Sequence, residues 1–279
     1  MKILFVLFIA ISSPLFCKPK LSDYQKNIYS QFGEDGIIEK IFELIGTTSK
    51  IAIEFGAADG FECSNTANFW AKDSSWLGVL IESDVERFDK LVRNTASYSC
   101  IRINKKIGIS EQDSLEAVLE PLKIGDQIDL LSIDIDGNDF YIMQSLEVLR
   151  PRVIVCEYNV SMPAHLDIYP EPGNYLGCSV AALQRVASEK GYSLVAITVT
   201  NCIFVRNDEF PKFSDFDTDR EHIRIDDYIC YVISDYAGSY HVIGRNDYKH
   251  AWGWSQKPST YPCYGSICHI PSQVTKKSI

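Results

Sequence analysis

A G-x-G-x-x-G fingerprint is missing from this chain, although there is an obvious place for one. A glycine loop opens at Gly56, but the second and third glycine positions hold Ala58 and Phe61. That departure argues against a dinucleotide whose pyrophosphate sits in such a loop. No Cys-x-x-Cys pair occurs among the nine cysteines, so a zinc site of that kind is not expected. No dense Lys/Arg run occurs either; Lys276–Lys277 is too short, and the formal net charge is −10. A phosphate backbone would be repelled, and nucleic acid is not an expected partner. There is no internal repeat and no low-complexity segment. The N-terminal apolar core, ILFVLFIAI, is too short to cross a bilayer comfortably.

The sequence does contain Ile51–Gly60, IAIEFGAADG. The apolar residues read as a buried strand that ends in Glu54, and Gly56 and Gly60 frame a tight turn. A second apolar run, Leu77–Ile81, ends in another acid, Glu82. Strand, glycine turn, helix and acid-ended strand form the βαβ unit that holds an adenosine-containing cofactor. The plainer alternative is a bare strand–turn–helix corner.

Alternating apolar strands and amphipathic helices continue along the chain. Helices are expected at 35–45, 85–94 (with Phe88, Leu91 and Val92 inward), 114–122, 139–148 and 180–190. Strands are expected at 50–54, 76–82, 99–104, 128–134 and 151–157, and an antiparallel pair at 192–199 and 202–205. The fold class is α/β, Rossmann-like, with a mostly parallel open sheet, helices on both faces and an irregular C-terminal extension. Residues 1–17 form a separate leader, 18–206 the domain, and 207–279 an extension packing on it. Tyr228–Ser234 reads as a short strand or a buried helical piece. Trp252, Trp254, Tyr261 and Tyr264 are either packing residues or an acceptor-binding wall for sugar or aromatic rings.

Several segments, taken together, resemble one family. They are YSQFGEDGIIEKIF (29–42), IAIEFGAADG, CSNTANFW (63–70), WLGVLIESD (76–84), DLLSIDIDGND (129–139) and PRVIVCEYN (151–159). In order and spacing they resemble the FkbM-type methyltransferase superfamily, in particular the branch with S-Q-x-G-E-D-G-I and S-I-D-I-D-G-N-D signatures. The resemblance runs from about Tyr29 to Phe204. It implies S-adenosylmethionine as cofactor and methyl transfer as the reaction, and names no acceptor. On that resemblance Glu82 would accept the ribose hydroxyls, with Ser83 beside it. Glu54 and Asp59 would lie near the amino-acid end, and Gly56, Ala57, Gly60 and Asp134 would line the rest. Gln31, Glu34 and Asp35 would cover the cofactor.

Asp134, Asp136 and Asp139 follow the fourth strand, and Glu157 and Asn159 the fifth. Ligands of open parallel sheets lie beyond these strand ends. Two chemistries are open. Asp134, Asp136, Glu157 and Asn159 would ligate Mg²⁺ or Mn²⁺ through hard oxygens. Alternatively, one of Asp134, Asp136 or Glu157 would act as base, with His165 a further candidate. Against both stands plain loop capping by Asp136–Asp139.

The leader, with Lys2 ahead of the apolar core, reads as a signal peptide or an N-terminal anchor. The expected location is exported or membrane-tethered through that segment, the alternative cytoplasmic. Cys263 and Cys268 would form a local disulfide if the domain is exported. The expected function is S-adenosylmethionine-dependent O-methylation of a small molecule or glycan. The rival is a non-catalytic exported or tethered binding protein. A metal-dependent nucleotide-sugar transferase, suggested by the D-x-D spacing of Asp134 and Asp136, is the third option.

Overall fold

A computed structural model of the chain describes residues 17–125 and 127–234, Tyr236, Ala237, 239–244 and Tyr261–Pro262. Residues 1–16 of the expected leader, Trp252, Trp254, Tyr264, Cys263 and Cys268 lie outside the described residues.

The elements in chain order are α1 (Glu34–Ile45), β1 (Ile51–Phe55), α2 (Ala67–Trp70), β2 (Leu77–Glu82), α3 (Val85–Asn94), β3 (Cys100–Asn104) and α4 (Leu115–Leu119). Next come β4 (Leu130–Ile133), α5 (Asp139–Ser145), β5 (Val153–Glu157), α6 (Val180–Glu189), β6 (Tyr192–Ile197), β7 (Asn201–Arg206) and α7 (Arg220–Ile223), then β8 (Cys230–Ser234), β9 (Ser239–Gly244) and β10 (Tyr261–Pro262). Seven strands form one sheet in the order β3-β2-β1-β4-β5-β7-β6. Pairings from β3 to β5 are parallel, and β7 runs antiparallel to both neighbours. This is the expected Rossmann-like α/β architecture. The chain order reverses direction between β1 and β4, which places a switch point at their C-terminal ends.

Strand alternation divides the core. Ala52, Leu80, Leu130, Val153, Val155 and Ile203 pack with α1 and α2 on one face. Ile53, Phe55, Ile81, Leu131, Ile133 and Phe204 pack with α4, α5 and α6 on the other. The strands are nearly continuously apolar because both faces are covered. Helix α1 buries Ile37, Ile38, Ile41, Phe42 and Ile45 at helical spacing and stops at Gly46. In α3 only Leu91 is fully buried; Val92, expected inward, is 39% exposed. That helix packs against β2 and the edge strand β3, at the sheet's margin.

Regular structure is present in the described part of the C-terminal region. Phe213 and Phe216 join the α1-side core, and Ile223 joins the other. Strands β8, β9 and β10 form a separate antiparallel sheet. Among the described residues no helix is long and apolar enough to cross a membrane.

Candidate functional site

The strand registers align one row of residues at the switch point. Phe55 lies between Ile81 and Ile133, which continue to Cys156 and Cys202. One step further come Gly56, Glu82, Asp134, Glu157 and Asn201. Period-two alternation directs these residues, and Glu54 two positions before Gly56, toward the α1–α2 face. Acids from four neighbouring strands thus gather at one edge.

The glycine loop uses its backbone amides internally. Ala57 N donates to Ile81 O, and Gly60 N to Ala57 O. Ala58 N donates to Glu82 Oε2 at 2.8 Å, and Asp84 N to Glu82 Oε1 at 2.7 Å. Phe61 N and Glu62 N both donate to Asp59 Oδ1. A pyrophosphate would need such donors free. Gly56 has φ +77°, and a Cβ there would overlap the Asp134 carbonyl, so the β1 and β4 loops meet backbone to backbone.

Several residues expected at the cofactor hold the loop in shape. Asp59 closes an Asx turn and accepts from the Asn94 amide of α3. Glu54 is 4% exposed. It accepts from Ser64 Oγ at 2.6 Å, Thr66 Oγ1 at 2.7 Å and Asn65 N at 2.8 Å. Burial raises its pKa even against those three bonds. Glu54 therefore fixes the segment that opens α2. Glu82 is also 4% exposed, and each of its oxygens accepts one amide and keeps a second acceptor position. Ala57 is buried beside it, and Ser83 is exposed.

The expected carboxylate group is brought together. Candidate ligand oxygens of Asp134, Asp136 and Glu157 lie within 4.8 Å of one another. Asp134 and Glu157 are half-buried, and Asp136 is exposed with φ +57°. Burial, followed by the charges of Asp139 and Asp136, pushes Asp134 up to about 8. Burial and the Asp134 charge push Glu157 well above the usual carboxylate range. Burial also raises Asp136, against the charge of Arg87 on α3. The pair can carry a shared proton near neutrality, or a divalent cation in its place.

The neighbouring residues differ in role. Asp139 is buried and accepts from Ile135 N and Gly137 N, both at 2.9 Å. It ties the β4–α5 loop into shape, although burial still raises it to about 6. Asn159, expected as a metal ligand, has its oxygen on Ser161 N and Ser161 Oγ and its amide nitrogen on Leu176 O. An amide so engaged organises the loop after β5 and has lost the free geometry a ligand needs. His165 is exposed on that same loop. It makes no hydrogen bond or ion pair among the described residues.

The segment before α1 closes the site from the strand-edge side. Glu34 accepts from Thr198 Oγ1 at 2.5 Å and Asn201 Nδ2 at 3.0 Å. Asp35 Oδ2 accepts from Ile28 N, Tyr29 N and Ser30 N. Thr198 and Asn201 carry no local sequence signal for this role, beyond a polar residue opening the apolar strand β7 opposite Glu157.

One electrostatic feature sets this edge apart. Among the described residues, none of Glu34, Asp35, Glu54, Glu82, Asp134, Asp136, Asp139 or Glu157 forms an ion pair with Lys or Arg. At the opposite edge, buried Asp129 does pair with Arg152 at 3.0 Å. A cavity of about 710 Å³, lined by Ser110, Ala117, Glu120 and Val148 among others, includes no residue of the carboxylate row.

No protein-family model matches the sequence, and no curated protein matches it. Among solved structures the chain is similar to a Staphylococcus aureus protein named for presumed caffeoyl-CoA O-methyltransferase activity. The identity there is 14% over 66% of this chain and 87% of that one, with a TM-score of 0.44. It is also similar to a Leishmania major SAM-dependent methyltransferase, 15% identical over 62% of this chain and 72% of that one, with a TM-score of 0.40. A TehB-like SAM-dependent methyltransferase from Corynebacterium glutamicum is 10% identical over 67% of this chain and 92% of that one, with a TM-score of 0.39. Likenesses this distant carry no argument about what this chain does; the α/β fold stands on its own strand order.

Proposed function

We propose that this chain binds S-adenosylmethionine at the C-terminal edge of β1, β2 and β4 and methylates an oxygen of a small molecule or glycan. The observation that carries the reading is the uncompensated carboxylate row, set beside a glycine loop whose amides are already engaged. Such an edge suits a ligand that brings hydroxyl donors and positive charge, and it does not suit a diphosphate. The cofactor would supply a ribose diol and a methyl group on a positively charged sulfur. Glu82 would hold the diol through its remaining acceptor positions. Asp134 and Glu157, in their singly protonated state, would offer one anionic oxygen to take the acceptor's hydroxyl proton. The α1 segment, pinned by Glu34 to Thr198 and Asn201, would exclude water from that step.

The engaged loop amides weigh against the nucleotide-sugar reading. The resemblance to FkbM-type methyltransferases, an N-terminal export or anchoring segment at 1–17, and a C-terminal extension at 207–279 belong to the same proposal. A non-catalytic exported protein with the same fold is the rival. Calorimetry separates the two. S-adenosylmethionine and S-adenosylhomocysteine are expected to bind with micromolar affinity. Glu82→Ala is expected to weaken both at least about tenfold, since a hydrogen bond to a charged group contributes roughly 1.5–3 kcal/mol. A folded chain that binds neither would sink the enzyme reading and leave the rival.

The close approach of Asp134, Asp136 and Glu157 supports a second occupant, a divalent cation that polarises the acceptor oxygen. Mn²⁺ titrated into the chain is then expected to bind the parent and not Asp136→Ala. No heat of binding in the parent would remove the cation from this reading.

A further inference from the structure

We infer that Tyr175 is the wall on which the acceptor lies, and that the acceptor carries a ring and no negative charge; this rests on the methyl-transfer reading. The loop between β5 and α6 folds back over the β4–α5 loop. At Gly137, next to Asp136, a Cβ would stand 2.7 Å from Asn174 O and 3.2 Å from Tyr175 Cα. Tyr175 therefore begins directly against the segment that carries Asp134 and Asp136. Gly137 directly follows Asp136, so the Tyr175 side chain is rooted on the same loop surface as the carboxylate group, and stacking there is the role we assign to its ring.

The backbone around Tyr175 is held from both sides. Asn138 Oδ1 accepts from Gly173 N at 2.8 Å, and Asn159 Nδ2 donates to Leu176 O at 2.8 Å. Asn174 Oδ1 accepts from Leu176 N at 2.9 Å. These anchors come from the loops that follow β4 and β5, the strands of Asp134 and Glu157. The ring itself is 88% exposed and makes no ring contact or side-chain hydrogen bond among the described residues. The loop's other tyrosines differ: Tyr158 is buried with its OH donating to Thr198 O, and Tyr169 stacks on Phe140 at 4.4 Å, with Arg185 at 5.4 Å from its ring. Arg185 is in turn paired with Asp167 at 2.7 Å. A rigidly based aromatic side chain left in water beside reactive groups is the arrangement that binds sugar or aromatic rings by stacking.

Charge narrows the class. Asp134, Asp136 and Glu157 surround the reacting position, and Glu171 lies on the same loop in solvent. With one proton on the Asp134–Glu157 pair, an anionic acceptor would still meet that pair's remaining charge and the Asp136 carboxylate, the latter moderated by Arg87, whereas a neutral or ammonium-bearing ring would not be repelled.

Saturation-transfer NMR on the S-adenosylhomocysteine-supplemented chain tests this with two matched sets. One is glucosamine, methyl glucoside and glucuronate; the other is dopamine, catechol and 3,4-dihydroxybenzoate. In at least one set the cationic or neutral ring is expected to bind about tenfold or more tightly than the anion. Tyr175→Ala is expected to lose most of that binding, and Tyr175→Phe to keep it, with thermal melting unchanged in both because the residue is exposed. The inference is overturned if no ring binds, if the anions bind as well as their partners, or if Tyr175→Ala binds like the parent. Cofactor binding without ring binding defeats this inference alone. Tyr175-dependent ring binding without cofactor binding defeats the methyl-transfer reading and leaves the ring site.

Discussion

Asp134→Asn is expected to melt at a higher temperature than the parent chain at pH 8 while losing about a hundredfold or more of its methyl-transfer rate. The stability half follows from linkage. Asp134 has its pKa raised from 3.8 to about 8 in the folded chain, first by burial and then by neighbouring charges. The folded state therefore keeps a proton that the unfolded chain releases, and stability falls as pH rises through this interval. The contribution is fully present below about pH 4 and is lost as pH passes through about 8. Asparagine carries no charge to bury, so the variant should lose less stability than the parent over that window, the remaining fall coming from Asp139 and Glu157, whose pKa values are also raised. Because Asp134 is only half-buried and lies against Glu157, whose pKa is also raised, a gain of about 2 kcal/mol is a fair expectation. For a domain of this size that is roughly 4–8 °C. The activity half follows from the loss of the anionic oxygen, since general-base contributions are typically 10²–10⁴-fold. Melting curves at pH 5 and pH 8, with rates once an acceptor is identified, check both halves. An Asn variant no more stable than the parent at pH 8 would show that the edge bears no uncompensated charge.

Arg152→Ala is expected to destabilise the chain by about 3–5 kcal/mol, the usual effect of breaking a buried, hydrogen-bonded ion pair. Arg152 is 4% exposed. Its Nε donates to Glu209 at 2.8 Å, and its Nη1 to Asp129 at 3.0 Å. The same guanidinium caps the C-terminal end of α1 through Gly46 O at 2.8 Å and Ile45 O at 2.9 Å. Alanine would leave two carbonyls and two carboxylates short of donors, although Thr48 and Lys50 still serve Asp129 and Lys212 still serves Glu209. Arg152→Lys should recover only part of the loss, because an ammonium cannot span the fork. Urea unfolding measures the difference; a loss under about 1 kcal/mol would mean that the network contributes little. The effect reaches the site, because α1 carries Glu34 and Asp35 at its other end.

Much of the site was legible in the sequence because sheet ends are legible. Apolar runs ending in Glu54, Glu82, Asp134 and Glu157 place those acids at one edge of any parallel sheet, and the strand registers align all four there. Other polar groups are less legible. Asp59, Asp139 and Asn159 have the residue types of ligands, yet each also accepts from amides two to four positions away or reaches a returning loop. Short polar side chains close local turns whenever free N–H groups lie within reach, and a motif does not say whether a functional group is already engaged. Thr198 and Asn201 were missed for the converse reason: their partner, Glu34, is 164 and 167 residues distant in sequence.

The sequence by itself determined the alternation of strands and helices, the two-sided burial of the sheet and the acids at its edge. Hydrophobic periodicity is a local property, and it reports which faces leave water. Only the tertiary structure decided which of those acids keep unused acceptor positions, that Asp134, Asp136 and Glu157 come within 4.8 Å of one another, that Arg152 serves the far edge, and that the Tyr175 backbone packs against Gly137. Those outcomes depend on which donors and charges the folding chain carries to within about 3–5 Å of each carboxylate, over separations that no local pattern encodes.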